Sequence, residues 1–236
     1  MSQPSLECAA LENGVRVHGS AGTGIVNPSY FELYADAFGF TGNPNLDPER
    51  NRSFDLGVEF PVLQGRGFVD VTYFNETLTD EITSVSTGAG TFSYENQTGD
   101  STREGLEVTG RVALTERLDL RGSYTYLDAK NPDGSVEIRR PEHELALGVT
   151  WRATDRATFA ADIRHVSGLA DTQFFGGFQT LDLPDITTVD LTARYAITDT
   201  VTLTGRVKNL FDDDAMEVWG YVGRPRTVYV GLDARF

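Results

Sequence analysis

The run Arg226-Thr227-Val228-Tyr229-Val230-Gly231-Leu232-Asp233-Ala234-Arg235-Phe236 ends the chain and decides the predicted fold. In an extended strand, successive side chains point to opposite faces. One face of this run is apolar and consists of Val228, Val230, Leu232, Ala234 and Phe236. The other face carries Thr227, Tyr229, Asp233 and Arg235. A soluble domain has little reason to end inside a full-length amphipathic strand, whereas a strand that closes a cylindrical sheet has to end there.

The same period of two recurs through most of the chain. Phe54, Leu56, Val58 and Phe60, for example, alternate with polar residues and one glycine. Comparable runs lie near residues 69–73, 106–114, 118–126, 145–151, 159–163, 189–195 and 201–207. Together with a strand near 15–20, the pattern predicts about ten β-strands.

The lengths and faces of these strands favour a membrane barrel over a β-sandwich. Many segments approach the ~9–11 residues that a tilted strand needs to cross a bilayer, which exceeds the usual strand length of about five or six. Charged residues lie in mid-strand on one face, and the apolar faces tend to end in aromatic residues, as at a membrane interface. These aromatic residues are Phe60, Tyr73, Tyr124, Tyr126, Trp151, Tyr195 and Phe211.

The predicted connections alternate between short and long. Short turns fall at 62–66, 115–117, 153–156 and 198–200, and long loops at 86–94, 129–142, 168–186 and 212–225. Strict alternation places all short turns on one rim and all long loops on the other, which is typical of outer-membrane barrels. The last strand then runs from the long-loop rim to the short-turn rim.

Composition excludes several classes of protein. The net charge of −15 argues against a nucleic-acid binder, which needs cations to neutralise phosphates. No stretch approaches the ~18 apolar residues of a transmembrane helix. The single cysteine, Cys8, cannot form an internal disulfide. Residues 1–11 have neither the basic start nor the apolar core of a signal peptide. For an exported protein, we therefore expect that the start of the gene is missing here or was replaced.

Ordered motifs resemble those of TonB-dependent outer-membrane receptors. The first group is Gly22-Thr23-Gly24, Pro28, Glu32-Leu33-Tyr34 and Gly42-Asn43-Pro44-Asn45-Leu46-Asp47-Pro48-Glu49. The second is Tyr73-Phe74-Asn75, Tyr94-Glu95-Asn96, Glu104-Gly105-Leu106-Glu107, Tyr124-Thr125-Tyr126-Leu127, Arg139-Arg140-Pro141-Glu142-His143, Asn209-Leu210-Phe211-Asp212 and Gly220-Tyr221 through Gly223-Arg224-Pro225. The resemblance covers almost everything after Val15, and the Arg-Arg-Pro and Gly-Arg-Pro elements most resemble the cobalamin receptor branch.

This resemblance implies an all-β chain that forms part of an antiparallel transmembrane barrel, roughly strands 13 to 22 of about 22. Residues 1–14 are predicted to be a loose segment at a truncation point, and residues 15–236 to be the barrel portion. The plug domain and the TonB box would precede this chain. The implied partners are the missing plug and barrel half, the TonB complex, the barrel-assembly machinery, outer-membrane lipid and a large chelate such as a ferric siderophore or cobalamin.

We find no catalytic constellation, and we predict no enzyme activity, no bound cofactor and no metal site. In such receptors the ligand meets loop tips and the plug, and aromatic side chains offer it stacking surface. Our ligand-loop candidates are Tyr30, Phe40, Phe174, Phe175 and Trp219, chosen from the loop aromatics, which also include Phe31, Phe38, Phe178 and Tyr221. Phe236 resembles the terminal signal that the barrel-assembly machinery reads.

The sequence leaves open two alternatives to a TonB-dependent receptor. One is a small passive outer-membrane pore or adhesin-like barrel that uses these strands alone. The other is a soluble β-sandwich binding module, which the mid-strand charges and the amphipathic terminal strand argue against. The sequence does not encode the ligand in a readable form, because receptors for siderophores and for cobalamin resemble each other in these motifs.

Overall fold

The structure is a computed structural model that describes residues 5–10, 13–88, 90–174 and 177–235, with the backbone alone over 5–10. Over these residues it contains seventeen β-strands, one α-helix and one 3-10 helix. The strands are β1 Ser5–Ala10, β2 Arg16–Val26, β3 Asp36–Ala37, β4 Phe40–Thr41, β5 Glu49–Val62, β6 Gly67–Thr79, β7 Ile82–Gly88, β8 Thr91–Asn96, β9 Asp100–Thr115, β10 Leu118–Lys130, β11 His143–Arg152, β12 Ala157–Ser167, β13 Ala170–Gln173, β14 Gln179–Asp182, β15 Ile186–Ala196, β16 Val201–Lys208 and β17 Thr227–Ala234. Helix α1 is Tyr30–Tyr34, and the 3-10 helix is Leu63–Gly65.

One sheet of eleven strands dominates the molecule, in the order β1-β2-β5-β6-β9-β10-β11-β12-β15-β16-β17. Each strand pairs antiparallel with its neighbours in that order. Without β1 the sheet has ten strands, so the predicted fold class and strand number are confirmed. Smaller sheets, β13-β14 and β3-β4-β8-β7, lie within the connections.

Part of the segment 1–14, for which a loose terminus stays a prediction, pairs with the main sheet. Ser5–Ala10 forms β1 and pairs with β2, with a register irregularity between Glu7 and Ala10. The physical reason is that β2 presents a free row of backbone donors and acceptors, which an extended segment satisfies. The domain boundary near residue 15 stays a prediction.

The apolar and polar faces of the main sheet follow the sequence alternation. Directly paired residues share a face, so the register extends each face across the strands. One face carries most of the exposed large apolar residues of the main sheet, among them Phe54, Leu56, Phe60, Tyr73, Leu106, Leu147, Trp151, Phe159, Ile163, Leu191, Tyr195, Leu203, Val228, Val230 and Leu232. The opposite face carries the mid-strand charges.

The buried apolar residues lie at one end of the sheet. They are Ala35, Leu46, Ala129, Val166, Leu169, Ala170, Leu183 and Ile186. All of them lie in the long connections or at the strand ends next to them. The sheet therefore buries little of its apolar face within this chain, and the densest packing supports the loops.

The connections alternate as predicted. The short turns are 63–66, 116–117, 153–156 and 197–200. The long connections are loop A (27–48), loop B (80–99), loop C (131–142), loop D (168–185) and loop E (209–226), and we call the end of the sheet that they share the loop rim. Thr227 of β17 lies at the loop rim, and Ala234 pairs with Val201 beside a short turn, which confirms the predicted direction of the last strand.

Three of the long loops hold more structure than the sequence predicted. Loop A contains α1, β3 and β4, loop B contains the hairpin β7-β8, and loop D contains the hairpin β13-β14. Ser86–Tyr94, predicted as open loop, lies mostly within the β7-β8 hairpin because its polar and aromatic residues also alternate. Among the described residues, no helix is long and apolar enough to cross a membrane.

Candidate functional site

Loops A and B are joined by a cluster of aromatic rings. The ring of Phe40 lies 5.3 Å from that of Phe92, 5.7 Å from that of Tyr94 and 5.8 Å from that of Phe31, between centroids. Such stacked and tilted pairs at 4.5–7 Å are favourable beyond their buried area. The Phe92 amide also donates to the Gly39 carbonyl at 2.9 Å. Phe40, a ligand-loop candidate, is thus part of the packing between the two loops.

Polar contacts reinforce this junction of loops A and B. Asn43 Nδ2 donates to the Tyr94 carbonyl at 2.9 Å. Asn96 Oδ1 accepts from the Asp47 amide, and Asn96 Nδ2 donates to the Asp47 carbonyl, both at 2.9 Å. The paired asparagine bonds explain physically why Asn residues stand in the motifs at 42–49 and 94–96. They replace backbone pairing between two segments that are not strands of one ladder.

Tyr30 occupies a different position from Phe40. It begins helix α1, where the side chain of Ser29 accepts from the Glu32 amide and the Glu32 carboxylate accepts from the Ser29 amide, forming a capping box. Tyr30 is 86% exposed, and its ring lies 6.2 Å from that of Tyr34, which is also exposed. The structure therefore places Tyr30 on the open surface of loop A, where a ligand can reach it.

Phe38 is a second exposed aromatic residue of loop A. It is 94% exposed and has φ +54° at the tip of the β3-β4 hairpin, followed by Gly39 at φ +81°. Two successive residues with positive φ form the tight hairpin turn that usually takes Asn or Gly. Phe38 is among the loop aromatics named from sequence but not among the ligand-loop candidates. Its exposure depends on the geometry of this turn, which the sequence pattern does not show.

Loops C, D and E meet at Asp171. The Asp171 side chain is fully buried, with an exposed fraction of 0%. Its Oδ1 accepts from Arg139 Nε at 2.9 Å and from the Thr172 amide at 2.8 Å, and its Oδ2 accepts from the Trp219 amide at 2.8 Å. Burial raises the pKa of Asp171, but these three bonds outweigh burial, so the pKa lies below its usual range.

Phe174 and Trp219, two ligand-loop candidates, are attached to this junction. The guanidinium carbon of Arg139 lies 5.9 Å from the centroid of the Phe174 ring, and that ring meets Phe178 edge-on at 6.3 Å. Trp219 is half-buried and is held through its backbone amide. Phe175, the remaining candidate of loop D, lies outside the described residues. Sequence reasoning missed Asp171, since one aspartate in a loop carries no signal of its own.

Loops B and C are linked through Arg103 of β9. Its guanidinium binds Glu137 of loop C with two bonds of 2.7 and 2.8 Å, contacts Glu76 at 3.2 Å and lies 3.8 Å from Glu81 of loop B. Burial raises the pKa of Glu137, but Arg103 and Arg140 outweigh it, and the pKa lies below its usual range. The loop rim is thus a connected layer in which each long loop contacts at least one other.

The comparisons with known proteins identify the fold. The family model described as TonB dependent receptor-like, beta-barrel, matches residues 9–210 of this chain.

The chain belongs to the TonB-dependent receptor β-barrel family.

Relatives and solved structures of the family agree with this assignment. The iron-regulated outer membrane virulence protein of Vibrio cholerae is 28% identical over 244 residues, covering 93% of this chain and 37% of that protein. The vitamin B12 transporter of Vibrio vulnificus is 29% identical over 225 residues, covering 92% of this chain and 34% of that protein. The ferripyoverdine receptor of the outer membrane of Pseudomonas aeruginosa, at 19% identity, has the same fold with a TM-score of 0.76, covering 93% of this chain and 31% of that chain.

Family membership confirms the predicted class of protein and its place in the bacterial outer membrane. This chain spans about a third of the length of the two curated relatives. The exposed apolar face of the sheet is the lipid face of a TonB-dependent receptor barrel, and the charged face lines the interior. Tyr124, Tyr126 and His143 lie on the lipid face near the loop rim, and Trp151 and Phe159 lie on it near the short turns.

Ion pairs cross the interior face of this barrel wall where glycines leave room. Arg121 of β10 binds Asp162 of β12 across β11, where Gly148 stands between them. A Cβ on Gly148 would lie 2.7 Å from both Arg121 Nε and Asp162 Oδ1. In the same way, His18 of β2 reaches across β5 to Asp70 of β6, with Nε2 2.7 Å from Oδ2.

The remaining predicted sites stay predictions. Phe236, the proposed assembly signal, lies outside the described residues, and β17 is described to Ala234. Among the described residues, no group of three or more His, Cys, Asp or Glu side chains is placed to hold a metal ion. Asp212, Asp213 and Asn209 instead organise loop E through backbone contacts, with Asn209 Nδ2 donating to the Asp213 and Arg224 carbonyls at 2.8 and 3.1 Å.

Proposed function

We propose that the full-length protein carrying this chain is an active uptake receptor for a large chelate, such as a ferric siderophore or cobalamin. The supporting observation is the loop rim: five long loops bonded to one another, with exposed aromatic rings on a rigid base. A large chelate offers extended apolar surface, and aromatic side chains pack on such surface at low entropic cost. The family includes an iron-regulated outer-membrane protein and a vitamin B12 transporter, which motivates these two ligand classes.

The mechanism that we propose is capture followed by energised release. The loops bind the chelate at high affinity, and a plug domain, completing the barrel together with further strands, rearranges when the TonB complex acts on it. Residues 15–236 supply the barrel wall and half of the ligand-facing rim in this proposal. The barrel-assembly machinery inserts the protein, with Phe236 as part of its recognition signal. Such a binding-driven importer requires no catalytic residue and no resident cofactor.

The test is uptake by cells that produce the full-length gene product. Cells lacking their own receptors are supplied with radiolabelled iron as a ferric catecholate, as a ferric hydroxamate, or with labelled cyanocobalamin. We expect saturable uptake of one of these probes, abolished by deletion of the TonB complex. Uptake that is unsaturable and unaffected by that deletion would instead support the alternative, a passive pore or adhesin-like barrel. Absence of uptake and of binding for all three probes would refute the ligand classes proposed.

A further inference from the structure

Asp171 is unusual because the hydrogen bonds that its carboxylate accepts come from three different loops. Among the residues whose side chains the structure describes, it is the one charged residue that is buried. A buried carboxylate is stable only when its lone pairs are matched by donors. Here the three donors come from loop C (Arg139), from its own loop D (the Thr172 amide) and from loop E (the Trp219 amide). One side chain thus contacts three segments that are distant in sequence.

A second observation places Arg139 under constraint at the same point. Arg139 has φ +61°, a conformation that costs a non-glycine residue free energy. Its amide donates to the Ala170 carbonyl at 2.8 Å, next to Asp171. The backbone and the guanidinium of Arg139 therefore both bond to β13. The same guanidinium lies over the Phe174 ring, so the position of Phe174 depends on the bond to Asp171.

The bonds of Asp171 contribute nothing to the main sheet. The eleven strands pair through their own backbone ladders, and all three donors to Asp171 lie outside those ladders. Loss of the carboxylate should therefore loosen the loops and leave the barrel wall intact. This separates a role in loop position from a role in folding.

We propose that Asp171 is a positioning residue that locks loops C, D and E into one arrangement and so fixes Trp219 relative to the Arg139–Phe174 pair. The proposal rests on the proposed function, because it takes these rings as the surface offered to the ligand. A pre-organised surface binds more tightly, since less side-chain and loop entropy is lost on binding.

Asp171→Asn distinguishes the two oxygens. An amide has one oxygen and one NH2 group, so it can satisfy only one side of the junction. Arg139 and the Thr172 amide together favour the oxygen at the Oδ1 position, which leaves the NH2 group facing the Trp219 N–H. The substitution should therefore release loop E and retain the bond to Arg139. Asp182→Asn is the matched control, because Asp182 lies on the same β13-β14 hairpin and is exposed.

The experiment is hydrogen–deuterium exchange of the full-length protein in outer-membrane vesicles, compared among wild type, D171N and D182N. We expect D171N to speed exchange of the peptide containing Trp219 at least about tenfold, because its backbone amide loses one hydrogen bond to a charged group. Peptides from β9 to β12 and from loop A should be unchanged, and D182N should match wild type throughout. Unchanged exchange at Trp219, or faster exchange throughout the strands, would overturn the proposal.

Ligand affinity separates this inference from the proposed function. Binding of a ferric catecholate, a ferric hydroxamate and cyanocobalamin is measured with the same three proteins. For a probe that binds wild type, D171N should weaken affinity at least about fivefold through the added ordering cost, and D182N should not. Equal affinity of D171N and wild type would refute the positioning role even if exchange is faster. Failure of all probes to bind wild type counts against the proposed ligands. The exchange result then still decides whether Asp171 holds loops C, D and E in one arrangement.

Discussion

Leu147→Arg tests the assignment of the two faces of the barrel wall. Leu147 lies on the lipid face of β11, midway between His143 and Trp151, which mark the two aromatic ends of that strand. The eight residue-to-residue steps between them span about 26 Å along the strand at ~3.3 Å per step. At a tilt of about 40°, this gives an apolar band roughly 20 Å high, so Leu147 lies near the bilayer midplane.

The expected cost follows from that depth. An arginine on the lipid face at the midplane costs about 2–4 kcal/mol, which is about 30-fold to several hundredfold in the equilibrium between assembled and unassembled protein. The matched control is Thr150→Arg on the same strand. Thr150 faces the interior and pairs directly with Asp119 of β10, whose carboxylate already binds Arg152, so an arginine at position 150 would share that carboxylate. We expect a change within about 1 kcal/mol for the control.

The assay is the heat-modifiable band of the full-length protein in isolated outer membranes, followed against temperature. L147R should show little folded band and a lower midpoint temperature, whereas T150R should resemble wild type. If L147R assembles as well as T150R, Leu147 does not face lipid, and the register that assigns both faces is wrong. A defect in T150R equal to that in L147R would also contradict the reasoning, because it would show that strand β11 tolerates no arginine on either face.

Three further predictions concern the interior and the loop rim. Gly148→Val should destabilise the folded band by about 1–3 kcal/mol, since the added side chain collides with the ion pair across it, while Gly205→Val, where a Cβ meets open space, should be nearly neutral. Arg103→Met leaves clustered carboxylates without their cation, which should destabilise the arrangement of loops B and C by about 2–3 kcal/mol after allowing for partial exposure. Proteinase K added to intact cells should therefore cleave these loops faster than in wild type. Because folding lowers the pKa of Glu137, the ionised carboxylate stabilises loop C above about pH 4.3, and this stabilisation is lost as pH falls through the lowered pKa. Protection of loop C from proteinase K should therefore stay constant from pH 8 to about pH 5 and fall below about pH 4. A loss of protection already at pH 6 would contradict this.

The barrel wall could be predicted from the sequence because the signal for each strand, the alternation of apolar and polar residues, is local to that strand. The alternation in Phe54–Phe60 or Val228–Ala234 determines which face meets lipid, with no information from other strands. The short turns follow, since only a few residues separate one alternating run from the next. The hairpin in loop B was missed for a related reason: Ile82–Gly88 and Thr91–Asn96 alternate too, but their alternation is polar and short, and resembles loop composition.

The loop rim could be predicted only in part, because its contacts join residues far apart in the chain. Phe40 is an aromatic residue in a motif-bearing loop, and nothing local indicates that its ring packs against Phe92 and Tyr94. Asp171 is bound by groups 32 and 48 positions away, so its burial is invisible in the run Ala170-Asp171-Thr172. Tyr30 is the contrasting case, since the capping box Ser29–Glu32 is a local pattern that fixes the start of its helix.

This division between wall and rim bears on how the family diversifies. The barrel wall obeys a repeated local rule, so sequences that are 19% identical still share the fold with a TM-score of 0.76. The rim depends on specific pairs such as Arg139–Asp171 and Arg103–Glu137. In these pairs, loss of the arginine leaves a buried or largely buried carboxylate without its cation, which is costly. Loop residues that contact only ligand are free of that constraint. We therefore expect ligand specificity to reside in exposed rings such as Tyr30 and Phe38. The pairs Arg139–Asp171 and Arg103–Glu137 should tolerate replacement only when both partners change.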